Sequence, residues 1–208
     1  LGRAFPGVSV RTSGRDEVLA TVPPGAALVV ATPGAEPVAD GGGYGAVLLL
    51  DTWALLTRAD LRAGEEALRR WRAAAALARP GAHGGRVVVV ADGALPAVQA
   101  LLRWDPAWYA ARELAERREL GFPPVARMAS VTGPPEAVAE LLAQARLPAG
   151  AELLGPVPAG REAERMLVRV RRGGAAALAR ALHEAVALRT ARKAAVPVRV
   201  QVDPHEIF

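Results

Sequence analysis

The sequence predicts an α/β chain in two parts: a first part built on a parallel sheet, then a small α+β domain of order βαββαβ with both helices on one sheet face. Three observations predict it. Short continuous apolar runs alternate with helix-favouring stretches through the first hundred residues. The string GFPP (121–124) then breaks the chain after a charged amphipathic stretch. Beyond it, strand-like runs alternate apolar and polar residues strictly. The expected divisions are 1–105, a linking helix and proline-rich turn at 106–124, and 125–208.

In the first part, LVV (28–30), AVLLLD (46–51) and RVVVVAD (86–92) read as strands buried on both faces of a parallel sheet. A helix is expected at about 60–79, stopped by Pro80-Gly81, and a shorter one at 94–103. Residues 106–120, PAWYAARELAERREL, form a helix with Pro106 in its first turn. There Arg117 and Arg118 alternate with Glu113, Glu116 and Glu119, a spacing that suits salt bridges along the helix.

In the second part a strand at 127–132 leads into a helix opened by Pro134-Pro135. Val138, Leu141, Leu142 and Ala145 share one face of that helix. An extended segment near 153–157, a strand at 164–172, a helix at about 174–188 and a strand at 198–202 complete the order. In ERMLVRVR (164–171), Met166, Val168 and Val170 point one way; Arg165, Leu167, Arg169 and Arg171 point the other. In VRVQV (198–202) the valines oppose Arg199 and Gln201. The expectation is a sheet with one face under helices and the other open and arginine-bearing, fit to lie against phosphates.

The chain of 208 residues has no Cys, which excludes disulfides and thiolate metal sites and suits a reducing cytosol, and it has no apolar run long enough to span a membrane. The start, LGRAFPGVSV, reads as an internal cut rather than a signal peptide. A cytoplasmic protein is expected. Of 26 basic residues only Lys193 is lysine, so a coding bias toward Arg accounts for part of the +5 net charge. Distribution is more telling: residues 161–193 hold 9 basic and 3 acidic side chains, an excess that favours a polyanion partner. A solvated basic face without a partner is the plainer alternative. No Phe, Tyr or Trp occurs between Phe122 and Phe208, so bases have nothing to stack on, and reading of shape and phosphates is expected.

No assembled active site emerges. With Lys193 as the sole lysine, no G-x-x-x-x-G-K-[ST] phosphate loop exists. The glycine-rich 31–45 lacks G-x-G-x-x-G and reads as a surface loop. His83, His183 and His205 show no ligand spacing. Asp51 ends a strand, where capping the next turn is its commoner work. Trp53, Trp71, Trp104 and Trp108 read as core or interface residues. No catalytic, cofactor-binding or metal-binding residue is assigned.

Several strings together nevertheless resemble one family. ELAERRELGFPP (113–124), LGPVP (154–158), MLVRV (166–170) and TARKAAVPVRVQVDP (190–204) are similar to the C-terminal part of the primosomal protein N′ (PriA) family, bacterial replication restart factors related to superfamily 2 helicases. More weakly, LLLDTWALLTRADLRAGEEALRRW (48–71) resembles the second helicase lobe before its last motif. The resemblance implies that 1–105 is the end of a RecA-like second lobe and 125–208 the family's DNA-binding C-terminal domain. The first lobe, the ATP and Mg²⁺ site and a cysteine-rich zinc insertion would lie outside this chain.

In typical members the register of 73–80 holds Q-x-x-G-R-x-G-R, whose arginines stabilise charge on the γ-phosphate. Here those positions read AAAALARP: Leu77 and Pro80 replace both arginines, and Arg79 falls on a glycine position. A G-T-Q-x-x-x-K-G-type motif fares no better, since Pro37 and Val38 stand where Lys-Gly should. The resemblance therefore implies a degenerate, actinobacterial-type member without helicase motifs: a restart protein that binds branched DNA at stalled forks and is not an ATP-driven enzyme. An active 3′–5′ helicase, and a scaffold docking acidic tails such as that of single-strand-binding protein, are the alternatives. Other primosome proteins are further implied partners. The expected DNA contacts are Arg165, Arg169 and Arg171 on the sheet face, then Arg161 in the preceding loop and Arg189, Arg192 and Lys193 before the last strand.

Overall fold

A computed structural model of the chain describes residues 4–194 and 196–204. It divides into two compact units, Leu1–Tyr109 and Ala110–Phe208.

Parallel strand pairs make up the first unit. β1 (Ser9–Ser13) pairs with β3 (Ala27–Ala31), and β2 (Thr21–Val22) with β4 (Val38–Ala39). β5 (Ala46–Leu49) pairs with β6 (Arg86–Val89). The short α1 (Trp53–Leu56) and α2 (Ala63–Ala75) join β5 to β6, and α3 (Pro96–Arg103) follows. The core gathers Leu49, Leu55, Leu68, Trp71, Val98 and Leu101 between this pair and the helices.

Two expectations fail in this unit. Its strands are not buried on both faces: Leu48, Leu50, Val88 and Val90 are about half exposed, because helices cover only the side carrying Val47, Leu49 and Val89. The helix expected to reach residue 79 stops at Ala75. Beyond it the backbone turns and bonds in strand fashion to Tyr44, whose N–H donates to Leu77 O while Arg79 N–H donates to Tyr44 O, both at 2.9 Å. Gly85 passes so close that an added Cβ would stand 1.8 Å from Arg79 O. Of the tryptophans, Trp71 is buried and Trp108 packs against the core. Trp53 and Trp104 are exposed, Trp104 lying under the Arg72 guanidinium at 4.8 Å.

α4 (Pro106–Leu120) carries the chain into the second unit. There β7 (Ala126–Gly133), α5 (Pro135–Gln144), β8 (Glu152–Pro158), β9 (Glu164–Arg171), α6 (Ala175–Ala191) and β10 (Arg199–Val202) give the expected βαββαβ order. The sheet runs β10-β7-β9-β8 with every neighbouring pair antiparallel, the ferredoxin-like split βαβ arrangement. α5 and α6 cover one face, closing on Ala129, Val131, Val168 and Val170 with Val138, Leu141, Leu178 and Leu182.

The other face departs from expectation. It is not an open arginine surface: Met128 is fully buried, and Ala126, Ser130 and Leu167 are nearly so. The chain just before β7 lies against it. Arg169 Nη1 donates to Leu120 O at 3.0 Å and reaches Gly121 O at 3.5 Å, and Arg117 Nη1 donates to Pro123 O at 3.2 Å. Alternation told which residues share a face; it could not tell that the preceding helix end folds back onto it at Arg169.

Candidate nucleic-acid interface

Strand register sorts the arginines of the second unit into two groups. On the face away from α5 and α6, β9 places Arg165 opposite Thr132 of β7, which is itself opposite Arg199 of β10. Two residues along, Leu167 and Gln201 flank Ser130; two further, Arg169 pairs with Met128, and Arg171 with Ala126. Arg165 and Arg199 thus lie at one end of the sheet, Arg169 and Arg171 at the other.

The first end collects more cations. Arg161 sits in the exposed β8–β9 hairpin, closed by Ala159 N–H donating to Ala163 O at 2.8 Å. Arg192 and Lys193, both exposed, occupy the turn leading from α6 toward β10. α6 ends there through Lys193, whose φ of 52° is left-handed, with Ala194 N–H returning to Arg189 O at 3.1 Å. Five cations therefore stand against Glu136, Glu162 and Glu164 at this end.

The anticipated residues differ in what holds them. Arg169 is tied to the end of α4 and to Glu152, so its donors serve the fold. Arg189 is buried, ion-pairs with Glu140, and donates to Val196 O at 3.0 Å, fixing the turn that bears Arg192 and Lys193. Arg165 is half-buried, and its Nε is enclosed without a hydrogen-bond partner among the described residues. Arg161, Arg171, Arg192 and Lys193 are exposed. Arg199, exposed and in register with Arg165, was signalled by the VRVQV alternation but not singled out. Arg117 pairs with Glu113 and Arg112 with Glu116, both i,i+4 pairs on α4.

A polar hollow in the first unit, at the end of β5, is lined by Asp51, Thr52, Arg58, Arg70 and Glu36. It does not fit a nucleotide triphosphate: Arg70 is held by Glu66 at 2.6 Å, and Glu36 occupies the Gly34 amide at 2.9 Å. Asp51 caps no helix; Thr52 instead donates its hydroxyl to Val90 O at 2.7 Å. Among the described residues no three His, Cys, Asp or Glu converge to hold a metal. His83 and His183 are exposed, and His205 lies outside the described residues. No helix among the described residues is long and apolar enough to cross a membrane.

Residues 118–205 match the family model of the primosomal protein N C-terminal domain. The whole chain is 52% identical over 219 residues to a "Probable replication restart protein PriA" of Mycobacterium leprae (strain TN). It is 50% identical over 226 residues to proteins of the same name from Mycobacterium tuberculosis, strains CDC 1551 / Oshkosh and H37Rv. All of this chain is covered in each comparison, and 34% of each relative, so the chain spans about a third of their length. The second unit contains the whole matched domain, and similarity to the relatives extends across the first unit too. The chain thus carries the primosomal protein N C-terminal domain over residues 118–205 and is similar along its whole length to PriA proteins.

Proposed function

We propose that this chain serves replication restart by binding branched DNA, and that it is not an ATP-driven motor. The observation that carries the reading is identity of 50% or more, over the entire chain, to proteins named for replication restart. The cation-rich end of the β10-β7-β9-β8 sheet supplies a surface suited to phosphates.

The non-motor reading draws on residues 73–80. Arg79, the one arginine there, donates its Nε to Gly43 O at 3.0 Å, so it braces a local turn. Arg70 and Arg69 are both engaged by Glu66. A site that lacks two arginines meant for transition-state charge loses about 10³-fold or more in rate. ATP, Mg²⁺ and zinc are accordingly not cofactors of this chain. Its setting is the bacterial cytoplasm, at the nucleoid, with other primosome proteins and the acidic tail of single-strand-binding protein as further partners.

The test is fluorescence anisotropy of labelled forked DNA against blunt duplex and single strand, at several salt concentrations, with ATP hydrolysis followed in parallel. Fork binding that weakens with salt, with no DNA-stimulated hydrolysis, is the expected result. Hydrolysis stimulated by DNA would return the helicase reading. Binding confined to an acidic peptide would favour the scaffold.

A further inference from the structure

We infer that the sheet end bearing Arg165 and Arg199 is a phosphodiester-binding site, crossed by the backbone of a nucleic-acid strand, and that Arg169 and Arg171 lie outside it. This rests on the reading above that the partner is DNA.

Four features place the site. First, β10 and β9 flank β7, so Arg199 and Arg165 stand two strand spacings, about 10 Å, apart with Thr132 between them. The row offers two guanidiniums and a hydroxyl on one face, with Arg161 and Lys193 beside it. Cations set along the ends of several strands match a polymer's repeated charge better than a single carboxylate. Second, Arg165 is half-buried with Nε enclosed and unbonded, whereas Arg169 on the same strand and face spends its donors on Leu120, Gly121 and Glu152. With Nε enclosed, Arg165 has its terminal Nη donors to offer, and none of them is bonded within the fold as those of Arg169 are; a phosphate oxygen is a suitable acceptor for them.

Third, β8 leaves register between Leu154 and Val157, beside Arg165. Gly155 sits there with φ of 119°, and an added Cβ would be 3.0 Å from Arg165 O. This bulge, formed by the string LGPVP, keeps side-chain bulk away from the Arg165 backbone. Fourth, Arg189 pins the approach to β10 through Glu140 and Val196 O, so less ordering remains to be done on binding. With no aromatic among the described residues of the unit after Phe122, bases have no stacking platform and the backbone is what the site can hold.

The experiment uses the ¹⁵N-labelled 208-residue chain, with Arg165 Nε–H assigned by loss of its signal in Arg165→Lys. Titration with forked DNA should move that signal. By anisotropy, Arg165→Gln/Arg199→Gln should weaken fork binding about tenfold and reduce the salt slope by about 2, the value for two lost phosphate contacts. Arg171→Gln/Arg172→Gln, at the other end, should leave the slope unchanged. Thermal melts establish that both variants fold. Fork binding unaffected by the first pair, or weakened by the second instead, overturns this placement while leaving DNA binding standing. No DNA binding even at low salt, with the Arg165 signal answering only to an acidic peptide, overturns both readings and assigns the end to a protein partner.

Discussion

The two units put strands beside helices and yet treat the faces of their sheets in opposite ways. In Leu1–Tyr109, α2 and α3 cover the side of the β5–β6 pair that carries Val47, Leu49 and Val89, while Leu48 (56%), Leu50 (60%) and Val90 (57%) remain exposed. In Ala110–Phe208, α5 and α6 cover one face and the chain around Leu120–Gly121 lies on the other, leaving Met128 at 0%. The difference is one of where a second layer comes from. In the second unit the segment that leads into the sheet supplies a second layer, whereas the β5–β6 pair is covered only on the side of its crossover helix and α3. Apolarity of a strand residue therefore does not fix its burial; the neighbouring layer does.

The sharpest way to break this comparison is to truncate one residue in each unit. Met128→Ala should cost about 2–5 kcal/mol, as expected for a fully buried side chain. Leu48→Ala, on the uncovered face, should change stability by about 0.5 kcal/mol or less. Urea unfolding of both variants measures this, and equal costs would refute the contrast. Next in size is the contrast within β9. Arg169→Ala removes charged hydrogen bonds to Leu120 O and Glu152 and should cost about 1.5–3 kcal/mol. Arg165→Ala removes a group whose Nε makes no bond and should be close to neutral in stability. If Arg165→Ala proves as costly as Arg169→Ala, Arg165 belongs to the scaffold.

Much of the second unit was legible because its signals are local. Alternation in ERMLVRVR and VRVQV, Pro134-Pro135 at a helix start and GFPP at a helix end placed β9, β10, α5 and the end of α4 within a residue or two. What escaped was long-range. β1, β2 and β4 are short, and two of them have only two residues, too few to show a period. The early stop of α2 is set by Tyr44, more than thirty positions away, while alanine propensity alone argued for continuation. Alternation puts Arg165, Arg169 and Arg171 on one face of β9 and no more. Only register separates Arg165 from Arg169, and only the folded-back α4 end shows that Arg169 is engaged.

A smaller effect probes how the basic end is held. Lys193 takes a left-handed conformation that a side chain disfavours, so Lys193→Gly should raise stability by about 1 kcal/mol while removing one cation. A thermal melt that rises while fork affinity falls would separate the residue's conformational cost from its charge. A fall in the melt would mean that its side chain packs more favourably than the turn geometry indicates.

The smallest expected effect concerns Arg69 and Arg70 of the first unit, which both pair with Glu66 along α2. Hydrogen bonds from Arg69 and Arg70 hold the Glu66 carboxyl well below its ordinary value of 4.5, at about 2. Because the folded-state value is the lower one, the pairing contributes fully above about pH 4.5 and is lost as pH falls toward 2. The group is one-third exposed, so screening limits the contribution to about 1 kcal/mol or less. Glu66→Gln should therefore melt slightly below the parent at pH 6, converge with it by about pH 2, and lose part of the difference in high salt. A difference independent of pH would mean that Glu66 acts through packing or helix propensity rather than charge. It would also weaken the contrast between arginines neutralised along α2 and those left facing solvent at the sheet end.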